Sequence, residues 1–141
     1  MLVTSYHDVA FDHKRREKAV IRVTKAIARY PHSVGIVCTG LSGILVGVSA
    51  AEKTEREFAI VRKPNEQSHG CQVEGYKLAE YVIVDDFMDS GDTIRNILTA
   101  MEKRNTATCK AIILYDGGGC YASKTFEHEG QEIPIIKCRR P

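Results

Sequence analysis

Two adjacent carboxylates, Asp85 and Asp86, stand directly after the apolar run Val82-Ile83-Val84 and are followed by Phe87-Met88 and Asp89-Ser90-Gly91-Asp92-Thr93. Paired acids at the end of a buried strand are unfavourable unless something pairs with them or ligates to them. Such carboxylates can hold sugar hydroxyls or a magnesium ion. The residues that follow have the opposite preference. Free N–H groups at a helix start, entered through a glycine turn, cradle an anion. Ser90 and Thr93 add hydroxyl donors, and Gly91 permits the close approach or positive φ that a cradle needs. A phosphate site four or five residues from a carboxylate pair suits a phosphorylated ribose. A plain strand–turn–helix with acidic caps shares part of this pattern, but not the paired acids. Asp92 lies inside the turn and would repel a phosphate unless its carboxylate points outward.

Two more segments could meet the same ligand. Thr39-Gly40-Leu41-Ser42-Gly43 joins a β-branched run to an apolar stretch, and N–H groups at that helix start again favour an anion. Arg62 and Lys63 could neutralise a polyanionic leaving group, and His69 could donate to it. An ordinary connecting turn and a charged surface loop would look similar. His7, His13, His32 and His128 have no ligand spacing with one another or with the cysteines and are expected on the surface.

The elements that position these residues follow from periodicity. Asp12 is a plausible N-cap, and Ala19, Val20, Val23, Ala26, Ile27 and Tyr30 recur at helical steps up to Pro31. Residues 34–38 read as a buried strand, 39–43 as a turn, 44–53 as a helix and 57–62 as a second strand. Residues 63–75 read as a breaker-rich loop with a short strand near Val73. Residues 81–85 predict a third strand, 93–104 a helix, 110–115 a fourth strand and 116–119 a turn. A short last strand at 133–137 is expected at an edge, because Pro134 has no N–H to donate. Apolar strands alternating with helices indicate an α/β domain with a mainly parallel central sheet flanked by helices, occupying 1–141 as one domain. Ligands in such sheets lie outside the carboxyl ends of the strands, which puts the turns at 39–43, 85–93 and 116–119 on one rim.

Composition narrows the class. With 43% apolar and 27% charged residues the chain is globular in character, and a net charge of +2 is too mild for a nucleic-acid partner. The longest apolar run, 43–51, is too short to span a bilayer. No charged start precedes an apolar core, so a secretory leader is not expected. The five cysteines are odd in number and include no CxxC spacing, which argues against a disulfide framework or zinc ribbon and suits a reducing cytoplasm.

The segment 82–93 resembles the signature of the type I phosphoribosyltransferases: an apolar strand, two acids, two spacers and a phosphate turn. The resemblance extends over 34–115. It implies that Asp85 and Asp86 contact the ribose hydroxyls of 5-phosphoribosyl-1-pyrophosphate (PRPP) and its Mg2+, and that Asp89, Ser90, Gly91, Asp92 and Thr93 hold the 5′-phosphate. Asp89 matches the position at which the hypoxanthine-guanine branch carries its general base. The stretch from Ile36 to Gly47 is similar to the pyrophosphate loop of the adenine branch, which implies that role for Thr39, Gly40, Leu41, Ser42 and Gly43. Arg62, Lys63 and His69 resemble the orotate branch's mobile loop, although Gln67 stands where that branch has a lysine. The family implies a nucleobase as acceptor and a homodimer, but these hints disagree on which base. A reduced hood is expected, since only 1–12 and 116–141 could grip the base. The rival expectation is a non-catalytic PRPP-binding regulator. A PRPP synthase or amidotransferase fragment is disfavoured, because no ATP site or glutaminase nucleophile is present.

Overall fold

The computed structural model describes residues 8–63, 72–104, 107–119 and 121–138. Four helices and seven strands follow in the order α1 (Asp8–Phe11), α2 (His13–Ile27), β1 (Gly35–Cys38), α3 (Gly40–Thr54), β2 (Phe58–Val61), β3 (Val73–Gly75), β4 (Glu80–Phe87), α4 (Asp92–Arg104), β5 (Thr108–Gly118), β6 (Thr125–His128) and β7 (Gln131–Lys137). The sheet order is β3-β2-β1-β4-β5-β7-β6. The five inner strands run parallel, and β3 and β6 are antiparallel additions at the two edges.

Alternation along the strands divides the apolar residues between two cores. Ile36, Cys38, Val82, Val84, Ala111, Ile113 and Tyr115 face α2 and α3. Val37, Tyr81, Ile83, Ile112 and Leu114 face α4 and also meet Phe126 of β6. This is the three-layer arrangement in which fully buried parallel strands read as continuous apolar runs. Asp12 caps α2 as expected, its side chain accepting from the N–H groups of Lys14 and Arg15, both at 3.0 Å. Buried Arg56 closes the far end of that helix. Its guanidinium donates to the carbonyls of Ile27, Tyr30, Pro31 and Val34 at 2.6–3.1 Å.

Several boundaries differ from the sequence expectation. The 39–43 segment is not a free turn, because α3 already begins at Gly40 after an extended Thr39. The 116–119 turn is also largely strand, since β5 continues to Gly118 and pairs there with Phe87. β7 is not an edge. It lies between β5 and β6, and its register with β5 begins at Ile135, one residue beyond Pro134, so the missing N–H falls outside that ladder. β6 was not foreseen, having Phe126 as its one buried residue. The short strand near Val73 is present as β3, paired with β2. His69 lies outside the described residues.

Candidate active site

The chain order changes direction between β1 and β4: β1 leads through α3 to β2 on one side, and β4 leads through α4 to β5 on the other. The carboxyl ends of the two strands diverge there and leave a crevice, the usual ligand position in a doubly wound sheet. A cleft of about 690 Å³ opens at this point. It is lined by the start of α3, the continuous segment 85–94, Arg62 and Lys63 just after β2, and Glu74 of β3.

Asp85 and Asp86 lie on β4 itself, at a register shift between Asp85 and Phe87. A shift of this kind re-aims side chains at a strand end. Asp85 is 8% exposed, and its Oδ1 accepts from the Asp86 N–H at 2.9 Å. The Asp86 Oδ1 accepts from the Phe87 N–H at 2.8 Å. Burial pushes the Asp85 carboxyl up, with the Asp86 charge beside it adding to the effect and Lys63 opposing it, so that it titrates at about 8. Once Asp85 ionises, two carboxylates on one strand tip face Lys63, and a divalent cation would favour that ionised pair.

The turn after Met88 enters α4 at Asp92 through Gly91, whose φ is +85°. Ser90 Oγ accepts from the Asp92 N–H at 3.3 Å. A Cβ on residue 91 would stand 2.6 Å from Phe126 Cε2, so the turn rests directly on that ring. Asp89 is exposed at the mouth of the cleft.

Across the cleft, the start of α3 lies against β4. A Cβ at Gly43 would be 3.0 Å from the Val84 carbonyl and 3.7 Å from Asp85 Oδ1. Gly43 therefore works by absence, bringing the two elements together, while Thr39, Gly40, Leu41 and Ser42 line the cleft. The Thr39 hydroxyl donates to the Val61 carbonyl at 2.6 Å and ties β2 to this corner. Tyr115 secures it from the other side by donating to the Ser42 carbonyl. Arg62 donates to Glu74 Oε2 through Nε at 3.0 Å and Nη2 at 2.8 Å.

Sequence reasoning brought together the acids, the 89–93 turn, residues 39–42, Arg62 and Lys63. It missed Tyr115, Phe126, Arg95 and Glu74, all of which act on that group from a distance in sequence. His128 is also not a free surface residue. Its side chain is 12% exposed, and Nε2 lies 3.2 Å from Glu102 Oε1 in a cluster that includes Glu129. Glu102 is ten residues along α4 from Asp92, about 15 Å away along the axis. That cluster is therefore separate from the Asp85–Asp86 pair.

A family model described as a phosphoribosyl transferase domain matches residues 11–137. No curated protein matches the chain. Among solved structures, the chain is similar to adenine phosphoribosyltransferase from Thermoanaerobacter pseudethanolicus, at 23% identity and TM-score 0.59, covering 75% of this chain and 70% of that one. Orotate phosphoribosyltransferase from Francisella tularensis is 13% identical with TM-score 0.64, covering 92% and 68%. Adenine phosphoribosyl transferase from Trypanosoma brucei, in complex with AMP, pyrophosphate and ribose-5-phosphate, is 13% identical with TM-score 0.63, covering 94% and 67%. At these identities the likeness to solved structures concerns the fold.

Proposed function

The chain belongs to the phosphoribosyl transferase domain family, and from that premise we propose that it transfers 5-phosphoribose from PRPP to a ring nitrogen of a nucleobase, releasing pyrophosphate. The observation that carries this reading is the shared cleft of Asp85, Asp86 and the 89–93 turn. The turn offers N–H groups at the start of α4 to the 5′-phosphate. The acids stand where the ribose hydroxyls would lie, one turn of chain away.

The reaction breaks the C1–oxygen bond of the ribose, and the electron pair leaves with pyrophosphate. A bond forms between C1 and the base nitrogen, and any proton on that nitrogen must be taken up. Positive charge builds on the ribose ring as the bond stretches. Asp85 and Asp86 favour that charge and fix the sugar's orientation. Asp89, exposed at the cleft mouth, is the group to accept the proton. Lys63 and the α3 N-terminus face the leaving group. The acid pair suits Mg2+, which when bound supplies neutralising charge to the pyrophosphate. A nucleobase acceptor, a homodimer and a cytoplasmic setting belong to the same proposal. No helix among the described residues is long and apolar enough to cross a membrane.

One observation favours a second reading, a PRPP-binding regulator without catalysis. Arg62, a candidate for the leaving group, is engaged by Glu74. Incubation with PRPP, Mg2+ and a panel of bases separates the two readings. Pyrophosphate release with one base supports the transferase and names its substrate. PRPP binding without release under every base supports the regulator.

A further inference from the structure

Besides Asp89 at the cleft mouth, a second acid of the 89–93 turn sits where the helix begins. Asp92 brings a carboxylate to the first position of α4, inside the segment that offers N–H groups to an anion. That side chain is 80% exposed and leans outward onto Arg95, with Nη1 3.2 Å from Asp92 Oδ1. The same Nη1 donates to the Ser90 carbonyl at 3.1 Å. The Arg95 guanidinium carbon lies 5.1 Å from the centre of the Phe126 ring. Phe126 is fully buried and supports Gly91 from below. A flat guanidinium seated on an aromatic face keeps a defined height and orientation. Two acceptors of the turn, the Asp92 carboxylate and the Ser90 carbonyl, are thus drawn to one cation that is itself positioned by the unforeseen strand β6.

We propose that Arg95 is a positioning residue for the 5′-phosphate: seated on Phe126, it holds the Asp92 carboxylate and the Ser90 carbonyl aside, so that the turn presents donors to the incoming anion. The proposal rests on the phosphoribose reading above. An exposed ion pair adds little to folding stability, so the effect belongs to the electrostatics of the turn. Its seat on Phe126 makes this partner of Asp92 directional.

The test is isothermal titration calorimetry of the full chain with ribose 5-phosphate, with thermal melts to follow folding. Arg95→Ala should weaken binding about tenfold, the scale expected for an unopposed carboxylate several ångströms from a phosphate. Arg95→Lys should fall between, because an ammonium keeps the charge but not the flat seat. Combining Arg95→Ala with Asp92→Asn should restore affinity to within about threefold of the native chain, a rescue that a purely structural arginine would not allow. Asp92→Asn alone should bind at least as tightly as the native chain. Native-like binding by Arg95→Ala, no rescue in the double variant, or weaker binding by Asp92→Asn each overturns the proposal while leaving the phosphoribose reading intact. Failure of the native chain to bind ribose 5-phosphate overturns both.

Discussion

The phenol of Tyr115 donates a buried hydrogen bond of 3.0 Å to the backbone carbonyl of Ser42, 73 residues earlier in the chain. It joins the end of β5 to the first turn of α3 across the tip of β4, where Asp85 lies. Both halves of the doubly wound sheet therefore meet at the candidate pyrophosphate corner through one hydroxyl. Burial pushes that phenol well above its ordinary pKa, so it remains a donor at any working pH.

Tyr115→Phe removes the donor and leaves the ring. The expected loss of stability is about 1 kcal/mol, or about 3 °C in Tm. Because the bond ends at the α3 turn, pyrophosphate affinity should fall while ribose 5-phosphate affinity does not. Titration of the variant with each ligand separately checks this; an equal loss for both would rule out a local role.

Asp85 predicts a pH dependence. Its folded pKa of about 8 stands above the ordinary 3.8, so the native state holds the proton more tightly than the unfolded chain. The stability that Asp85 contributes is therefore full below the unfolded value and is lost as pH rises towards 8. Asp85→Asn, which retains an oxygen to accept from the Asp86 N–H, should gain on the order of 5 kcal/mol over the native chain at about pH 9 and nothing at about pH 3. Denaturant melts at the two pH values decide the matter.

The same carboxyl must lose its proton to hold a cation. Mg2+ affinity, measured in the presence of PRPP, should rise with pH and level off above about 8. Asp85→Asn should weaken binding and flatten the profile. A steep profile that persists in the variant would assign the titration to another group.

Asp89→Asn should lower turnover about 100-fold while PRPP affinity stays within about threefold, the pattern of a lost proton acceptor. Initial rates and equilibrium binding, taken together, test it. Unchanged turnover removes the base role.

Gly91→Ala tests the seat of the candidate phosphate turn. The new methyl would meet Phe126 at 2.6 Å, and the φ of +85° strains any L side chain. Ribose 5-phosphate affinity should drop at least about tenfold. Adding Phe126→Leu relieves the contact but not the dihedral, so recovery should be partial. Full recovery would locate the whole effect in the ring contact.

The Asp85–Thr93 candidate site was legible because its signals are contiguous. The strand, the acids, the turn and the helix follow one another within a few residues, and each carries a local signal. The parallel core was legible for a similar reason, since residues 34–38 and 81–84 are apolar throughout. What escaped depends on pairing between distant segments. The glycines at 117–119 signal a turn, yet β5 continues through Gly118 because Phe87 lies opposite. The strand 125–128 has a single buried residue and three polar ones, so periodicity has little to detect there. Phe126 meets Gly91, and Tyr115 meets Ser42, only once the sheet has formed. Pro134 pointed to an edge because its missing N–H is visible in sequence, whereas the register that makes it harmless is not.

Arg56 has a consequence for how the domain opens. Four carbonyls between Ile27 and Val34 accept from one side chain that follows α3, and those of Ile27 and Pro31 also accept from the N–H groups of Tyr30 and Val34. The join between α2 and β1 can therefore fray only if that guanidinium lets go, which exposes the base of β2 as well. Amide exchange at the foot of α2 and at Ile36, whose N–H donates to Glu57, should accordingly proceed with one shared opening energy. The first β–α–β crossover would then behave as a single foldon whose lock lies at the opposite end of the sheet from the cleft.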